Sequence, residues 1–204
     1  MQVPIPLQVM KIPIRRVKPV RIIEVWWPML KIHDWLSYLL QHKSPVVLGG
    51  GTIHEPLSWQ PTFTKFWQTY QAINPGHDVY GLEADAWGNV IPLFIHGDEG
   101  RGLQKQPWMV LAWQPVISHR GIRETNDSSK PGYIGFSLGC HVRHSFTTRF
   151  LFSCISASLY SGDSTLQALL QEMTDQIMDL FSNGITVPWF ELRPFPLLVP
   201  CRLR

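Results

Sequence analysis

Two adjacent acids, Asp98 and Glu99, are the residues whose types and position most suggest chemistry in this chain. They follow the apolar run Ile91–His96 and precede the glycine-rich turn at Gly100, and a second apolar run begins at Trp108. A carboxylate at the end of a strand is held rigidly, while the loop beyond leaves it open to a metal ion and a substrate. Asp98 is therefore a candidate metal ligand and catalytic acid, with Glu99 beside it. The alternative is a polar hairpin loop in which both acids only favour the turn.

A serine motif offers a different chemistry. The segment Gly135-Phe-Ser-Leu-Gly139 matches the Gly-x-Ser-x-Gly pattern of a nucleophile elbow, so Ser137 is an alternative candidate nucleophile. A serine hydrolase also needs a later acid and a later histidine, in that order. All eight histidines lie at or before His144. The two that follow Ser137, His141 and His144, are too close to it in sequence for that order. Chance spacing in a loop explains the motif more simply.

Two further patterns resemble ligand sites but lack essential members. Gly97-x-x-x-x-Gly102 begins like a phosphate-binding loop, yet Leu103 stands where the lysine is required. Cys140-His141-x-x-His144 brings possible zinc ligands together without a second pair nearby. We interpret both as polar loop sequence.

Basic residues are concentrated near the start of the chain, before the first acid at Glu24. They are Lys11, Arg15, Arg16, Lys18 and Arg21. A basic segment studded with prolines can contact nucleic-acid phosphates, such as those of DNA, although a solvated flexible tail has the same composition. The net charge of the whole chain is only +3, which does not by itself indicate a nucleic-acid partner.

Composition indicates one folded domain without a membrane partner. The chain has 204 residues, of which 45% are hydrophobic and 12% aromatic, including nine tryptophans. This length and composition permit one sizeable core. The three cysteines form no Cys-x-x-Cys pair, which argues against a disulfide framework or a zinc ribbon. We find neither a signal-peptide core nor a run of roughly 18 apolar residues that would span a membrane. We therefore expect an intracellular protein, nuclear or cytoplasmic.

The elements that must position these residues divide the chain into four parts. Prolines at 4, 6, 13 and 19 exclude a helix and predict a basic, extended and irregular arm over residues 1–24. Residues 25–78 form a predicted helical layer, with helices at Pro28–His42 and Pro61–Ile73. Its tryptophans could stack bases, but packing explains most of them more simply. Residues 79–185 form an α+β region, and 186–204 a proline-rich tail.

Within residues 79–185 the pattern predicts three strands and a long helix. Asn89–His96 and Trp108–Ile117 read as an antiparallel hairpin, and Phe146–Ser156 as a third strand. The polar stretch 118–131 is a predicted exposed loop. An apolar stripe predicts an amphipathic helix over Ser164–Ser182, capped by Ser161 or Asp163 and ended by Asn183-Gly184. The predicted fold class is α+β: a small mixed or antiparallel sheet, two N-terminal helices and one long amphipathic helix.

Three strands followed by an amphipathic helix, with an acid on the first strand, is the opening order of an RNase H-like fold. Three parts of the chain carry a more specific resemblance: Ile-Pro-Leu-Phe-Ile-His-Gly-Asp-Glu-Gly-Arg-Gly at 91–102, Phe-Thr-Thr-Arg-Phe-Leu-Phe-Ser-Cys at 146–154, and Tyr-Ser-Gly-Asp-Ser-Thr-Leu at 160–166 with Asp-Leu-Phe-Ser-Asn-Gly-Ile at 179–185. Over roughly residues 26–185 the chain resembles a group of mobile-element proteins of protist genomes, which are similar to DDE transposases.

This resemblance implies a role for Asp98 and also a missing partner. Asp98 would be the first of three metal-binding acids, sharing Mg²⁺ or Mn²⁺ ions that activate a nucleophile during strand cleavage. The family expects a second acid on the strand after the long helix, but Glu191 is the only acid beyond Ile185, among several prolines. One carboxylate holds Mg²⁺ weakly. A persisting site therefore requires Asp98 to open onto a groove beside another acid.

Three hypotheses follow from the sequence. The leading one is a truncated, transposase-derived fragment without a complete set of catalytic acids. The alternative is a non-enzymatic binding or scaffold domain, with nucleic acid or protein partners contacting the basic arm or the loop at 118–131. The third is a serine hydrolase that uses Ser137.

Overall fold

The computed structural model describes residues 5–101, 106–117, 119, 149–185 and 197–198. Its first element is an antiparallel β-hairpin made of β1 (Gln8–Arg16) and β2 (Arg21–Met29), paired from Gln8 with Met29 to Arg16 with Arg21. The prediction of an extended backbone was right, but the prediction of an irregular arm was wrong. Buried and more exposed residues alternate along β1, and Met10, Ile12 and Ile14 turn into the core.

The helical layer follows the hairpin directly. Helix α1 (Ile32–His42) begins four residues later than predicted, because β2 continues through Met29. A one-turn helix α2 (Ser44–Val47) and helix α3 (Gln60–Gln71) come next, and α3 lies close to its predicted bounds. Short 3₁₀ helices occupy Pro56–Ser58, Asp78–Gly81, Ala84–Asn89 and Ala157–Leu159.

The larger sheet contains β3 (Ile91–Arg101), β4 (Pro107–Pro115), β5 (Phe150–Ser156) and β6 (Leu197–Leu198), in the order β5-β4-β3-β6. The pairs β3–β4 and β4–β5 are antiparallel, and β6 runs parallel to β3 at the other edge. The predicted antiparallel hairpin and third strand are confirmed. The two described residues of the proline-rich tail lie at a sheet edge, where prolines nearby are tolerated.

Helix α4 (Ser164–Asn183) is the long amphipathic helix that its apolar stripe predicts. Its buried face includes Leu169, Met173, Ile177 and Leu180. Gly184 follows with a positive φ of 69°, which glycine adopts without strain, so the predicted stop is confirmed. The predicted side-chain cap was wrong, because neither Ser161 nor Asp163 caps through its side chain: the Ser161 N–H instead donates to Thr165 Oγ1 at 2.8 Å.

Helix α4 joins the two sheets into one core. The Thr165 hydroxyl donates to the Pro13 carbonyl of β1 at 2.6 Å, and the Ile32 N–H at the start of α1 donates to Gln176 Oε1 at 3.1 Å. The Gln176 amide thus satisfies one of the N–H groups that a helix start leaves unpaired. Large apolar side chains fill the space between these elements, and those fully buried include Trp59, Phe63, Trp67, Trp113 and Phe152. The fold class is α+β, as predicted.

The hairpin is also attached to strand β5. Four hydrogen bonds cross this junction: Trp27 Nε1 to the Cys154 carbonyl (3.1 Å), Leu30 N to the Phe152 carbonyl (2.8 Å), Trp35 Nε1 to the Leu151 carbonyl (2.9 Å) and Ser153 Oγ to the Pro28 carbonyl (2.8 Å). They join residues more than a hundred positions apart in sequence. The segment before α1 is therefore an integral part of the fold.

Among the described residues, no helix combines the length and apolar character that crossing a membrane requires.

Candidate functional site

Asp98 and Glu99 lie inside strand β3 and face opposite sides of the sheet. Asp98 is paired with Val110 of β4, and Glu99 with Met109. The expectation that both acids follow the strand in a loop was wrong. The strand continues through Arg101, because β4 supplies backbone partners even to the polar and glycine-rich part of the sequence. Both carboxylates are exposed. Because they lie on opposite faces of the sheet, a single bound ligand can contact only one of them.

Asp98 opens onto a groove on the outer face of the larger sheet. The groove measures about 460 Å³ and is lined by His96, Asp98, Gly100, Val110, Ala112, Arg149 and Leu151. Its floor is apolar, and its polar side chains are one acid, one histidine and one arginine. Asp98 therefore meets part of the sequence-based requirement, since it opens onto a groove, but its charged neighbour is a cation instead of a second acid.

His96 is the titratable group most affected by this environment. Burial lowers the pKa of His96 below its ordinary value of 6.5, and the positive charge of Arg149 lowers it further. The nearby Gln114 side chain and the charge of Asp98 act in the opposite direction without outweighing burial. The groove thus favours a neutral imidazole beside one carboxylate and one guanidinium.

Glu99 has a structural partner on the opposite side of the sheet. Its Oε1 accepts a hydrogen bond from the Tyr160 hydroxyl at 3.2 Å. Burial raises the pKa of Tyr160 to about 12, with smaller contributions from the charge of Glu99 and from this hydrogen bond. Glu99 is therefore engaged away from the groove and does not complete a site with Asp98.

The described groove does not fit a Mg²⁺ or Mn²⁺ centre by itself. Such ions take oxygen ligands, and a single carboxylate without a second one nearby holds them weakly. Asp98 is the one carboxylate among the described groove residues, and the described part of the chain has no group of three or more acids, histidines or cysteines positioned to hold a metal. A metal at Asp98 therefore stays a prediction.

The basic residues predicted to contact nucleic acid are brought together by the hairpin. Arg16 and Arg21 face each other across the last strand pair, and Lys18 lies in the turn between them. Lys11 and Arg15 lie on the outer face of β1, because they alternate with its buried residues. All of these side chains are exposed. We call residues 8–29 the basic hairpin; Glu24 is its only acid.

An exposed tryptophan accompanies these cations. Trp26 on β2 is 64% exposed and is paired with Lys11 across the hairpin. The Lys11 ammonium lies 5.2 Å from the centroid of the Trp26 ring, within the range of a cation–π contact. The sequence alone did not distinguish Trp26 from its neighbours. Once β2 is known to be a strand, the distinction follows: neighbouring residues face opposite sides, so Trp26 points away from the core while Val25 and Trp27 point towards it.

The other tryptophans considered for base stacking are occupied in the fold. Trp59 and Trp67 are buried, with 1% or less of their surface exposed. Trp27 and Trp35 donate their indole N–H groups to β5, and Trp87 donates to the Leu82 carbonyl at 3.3 Å. Packing therefore explains these residues, as expected.

Comparison with known proteins gives no assignment. No family model, curated protein or solved structure matches this chain. Several candidate residues also lie outside the described part of the structure: Ser137 with its glycine motif, Cys140, His141, His144, Glu191, and the loop at 118–131 apart from His119. The hypotheses that depend on them stay predictions.

Proposed function

We propose that this protein binds nucleic acid through the basic hairpin, and that it is transposase-derived but does not cleave strands by itself. The observation that carries this proposal is the clustering of Lys11, Arg15, Arg16, Lys18 and Arg21 on one exposed hairpin. Within the described part of the chain, no carboxylate forms an ion pair with them, so their charge is available to phosphates.

The element order supports the proposed ancestry. Three antiparallel strands, β3 to β5, are followed by the amphipathic helix α4 and then by a short strand, with Asp98 on the first of the three. This is the order that the transposase resemblance implies. The groove at Asp98 supports the absence of cleavage, since its polar neighbours there are the neutral His96 and the cation Arg149 and not the second acid that a metal-dependent reaction needs.

Phosphate binding by this hairpin should depend strongly on salt. Each neutralised phosphate releases condensed counterions, so affinity falls as salt rises. If about four of the basic side chains contact DNA phosphates, raising monovalent salt from about 50 to 200 mM weakens binding roughly 100-fold. Fluorescence anisotropy with a labelled oligonucleotide, titrated at several salt concentrations, measures this slope directly.

Neutralising the hairpin tests the location of the binding surface. The variant combines four substitutions in one chain: Arg15→Gln, Arg16→Gln, Lys18→Gln and Arg21→Gln. We expect the slope of log affinity against log salt concentration to become shallower by about one for each phosphate contact removed. Lys43→Gln is the control, because Lys43 is exposed but lies after α1, outside the hairpin. Equal loss in both variants would contradict the location, and binding by neither the wild type nor the control would overturn the proposed function.

Cleavage is measured separately from binding. The wild type is incubated with supercoiled plasmid and short oligonucleotides in Mg²⁺ or Mn²⁺, and we expect no metal-dependent nicking. Nicking that disappears in Asp98→Asn would overturn the non-cleaving part of the proposal and would assign Asp98 the role implied by the transposase resemblance.

A further inference from the structure

Trp26 is the most exposed tryptophan in the described part of the chain. Its position has no explanation in the core, since Val25 and Trp27 on either side of it provide the contacts of β2 with the rest of the protein. Single exposed apolar side chains are common on protein surfaces and need no special cause. A second observation is therefore needed before Trp26 indicates a ligand.

The charges around Trp26 provide that observation. Lys11 approaches one face of the indole at 5.2 Å, and with 64% of the residue exposed the rest of the ring remains open. Arg15 lies four residues from Lys11 on the same outer face, about 13 Å along the strand. At this separation the two cations can pair with different phosphates. The open ring lies directly across from Lys11, and Glu24 lies on the same face between the ring and the level of Arg15. An open aromatic ring beside one cation, with a second cation farther along the strand, is a combination that binds single-stranded nucleic acid.

We infer that the basic hairpin takes single-stranded nucleic acid, with one base stacked on Trp26 and flanking phosphates paired with Lys11 and Arg15. This inference rests on the proposed function and names the class of nucleic acid that the same surface binds. A single strand exposes the faces of its bases, whereas in a duplex a base must first be unstacked. The stack is tolerant of sequence, because every base has an aromatic face.

A two-stranded ribbon could instead enter the major groove of a duplex. In that arrangement Lys11 and Arg15 would still contact phosphates, but the ring of Trp26 would have no base face to cover. The two arrangements therefore differ in what removal of the indole does to each kind of nucleic acid.

The test compares a labelled single strand of about twenty thymidines with a duplex of equal length, using full-length protein at low salt. Trp26→Leu keeps apolar bulk on the strand but removes the flat ring. We expect it to weaken single-strand binding about 5- to 150-fold, the range found for removing one stacked base. Duplex binding should change less than about twofold, because phosphate contacts dominate it.

Two further variants serve as controls. Trp26→Phe keeps an aromatic ring and should retain most of the single-strand affinity, which would also exclude a general effect of altering this position. Trp108→Leu removes a second partly exposed tryptophan, 40% exposed on β4 and outside the hairpin, and should leave both affinities unchanged. Circular dichroism on each variant verifies that it is folded.

The outcomes separate this inference from the proposed function. Wild-type protein that binds neither single strand nor duplex overturns both. A second result is binding that is lost in the combined Gln variant of the hairpin and yet is unaffected by Trp26→Leu, and a third is binding that Trp26→Leu reduces equally for single strand and duplex. Either of these two results overturns the stacked base and leaves nucleic-acid binding in place. Loss confined to the single strand, and recovered in Trp26→Phe, supports the inference.

Discussion

His96 links the groove of the larger sheet to the stability of the protein. Because burial and Arg149 lower the pKa of His96 in the folded state, the unfolded chain binds a proton more readily than the folded chain as the pH falls below about 6.5. Above that pH, His96 is neutral in both states, and its contribution to the free energy of unfolding is fully present. It is lost as the pH falls through the lowered pKa of the folded state.

We predict that His96→Gln reduces this acid sensitivity. Urea denaturation at pH 7.5 and pH 5.0 should show a smaller decrease in the free energy of unfolding for His96→Gln than for the wild type. His42→Gln changes an exposed histidine on α1 and should keep the wild-type decrease. Identical decreases in the wild type and in His96→Gln would show that other groups dominate the acid response.

At individual residues, the sequence identifies the basic side chains but not the surroundings of Asp98. Adjacent acids in a glycine-rich segment look like a loop, because polarity and turn-forming residues are local signals. Whether such a segment pairs with another strand depends on β4, and which charges approach Asp98 depends on Arg149, some fifty residues away. Neither contact can be derived from the spacing around Asp98.

Helix α4 permits a comparison of two methionines on one element. Met173 is fully buried, whereas Met178 on the same helix is 44% exposed. We predict that Met173→Ala lowers the free energy of unfolding by about 2–5 kcal/mol, since it leaves a cavity among packed side chains. Met178→Ala should change it by less than about 0.5 kcal/mol. Chemical denaturation measures both, and similar losses for the two would contradict the observed orientation of α4.

The elements differ in how well the sequence predicted them. Helix α4 was predicted almost to its ends, because its apolar stripe repeats with helical period over five turns and glycine terminates it. The hairpin was missed because its prolines suggested irregular chain. β1 pairs with β2 on one side and with no other described strand, so a missing N–H at Pro13 is tolerated there. The alternating burial of Met10, Ile12 and Ile14 therefore prevails over the proline signal.

The hairpin cannot be removed without opening the core of the whole molecule. Ile12 is fully buried, and Thr165 of α4 donates to the backbone of β1. We predict that a chain lacking residues 1–29 loses cooperative thermal unfolding and binds a hydrophobic dye such as ANS. A sharp transition at the wild-type melting temperature would show that the hairpin is dispensable for folding. Charge substitutions, and not truncation, are therefore the suitable test of nucleic-acid binding.

For the whole molecule, fold class was the limit of what sequence could establish. Composition and periodicity predicted an α+β domain with a small sheet and one long helix, and the structure has these elements. The attachment of the hairpin to β5 was not predictable, because Trp27 and Cys154 are separated by 127 positions and neither residue type specifies a partner. The position of Trp26 on the surface follows from that attachment.

The junction between β2 and β5 has a consequence for behaviour at high concentration. A strand at the edge of a sheet has unpaired backbone groups, and a second molecule can pair a strand with them and begin an aggregate. In β5 the carbonyls of Leu151, Phe152 and Cys154 are already occupied by donors from the segment containing Trp27, Leu30 and Trp35. This segment therefore hinders a second molecule from adding a strand along that side of the sheet.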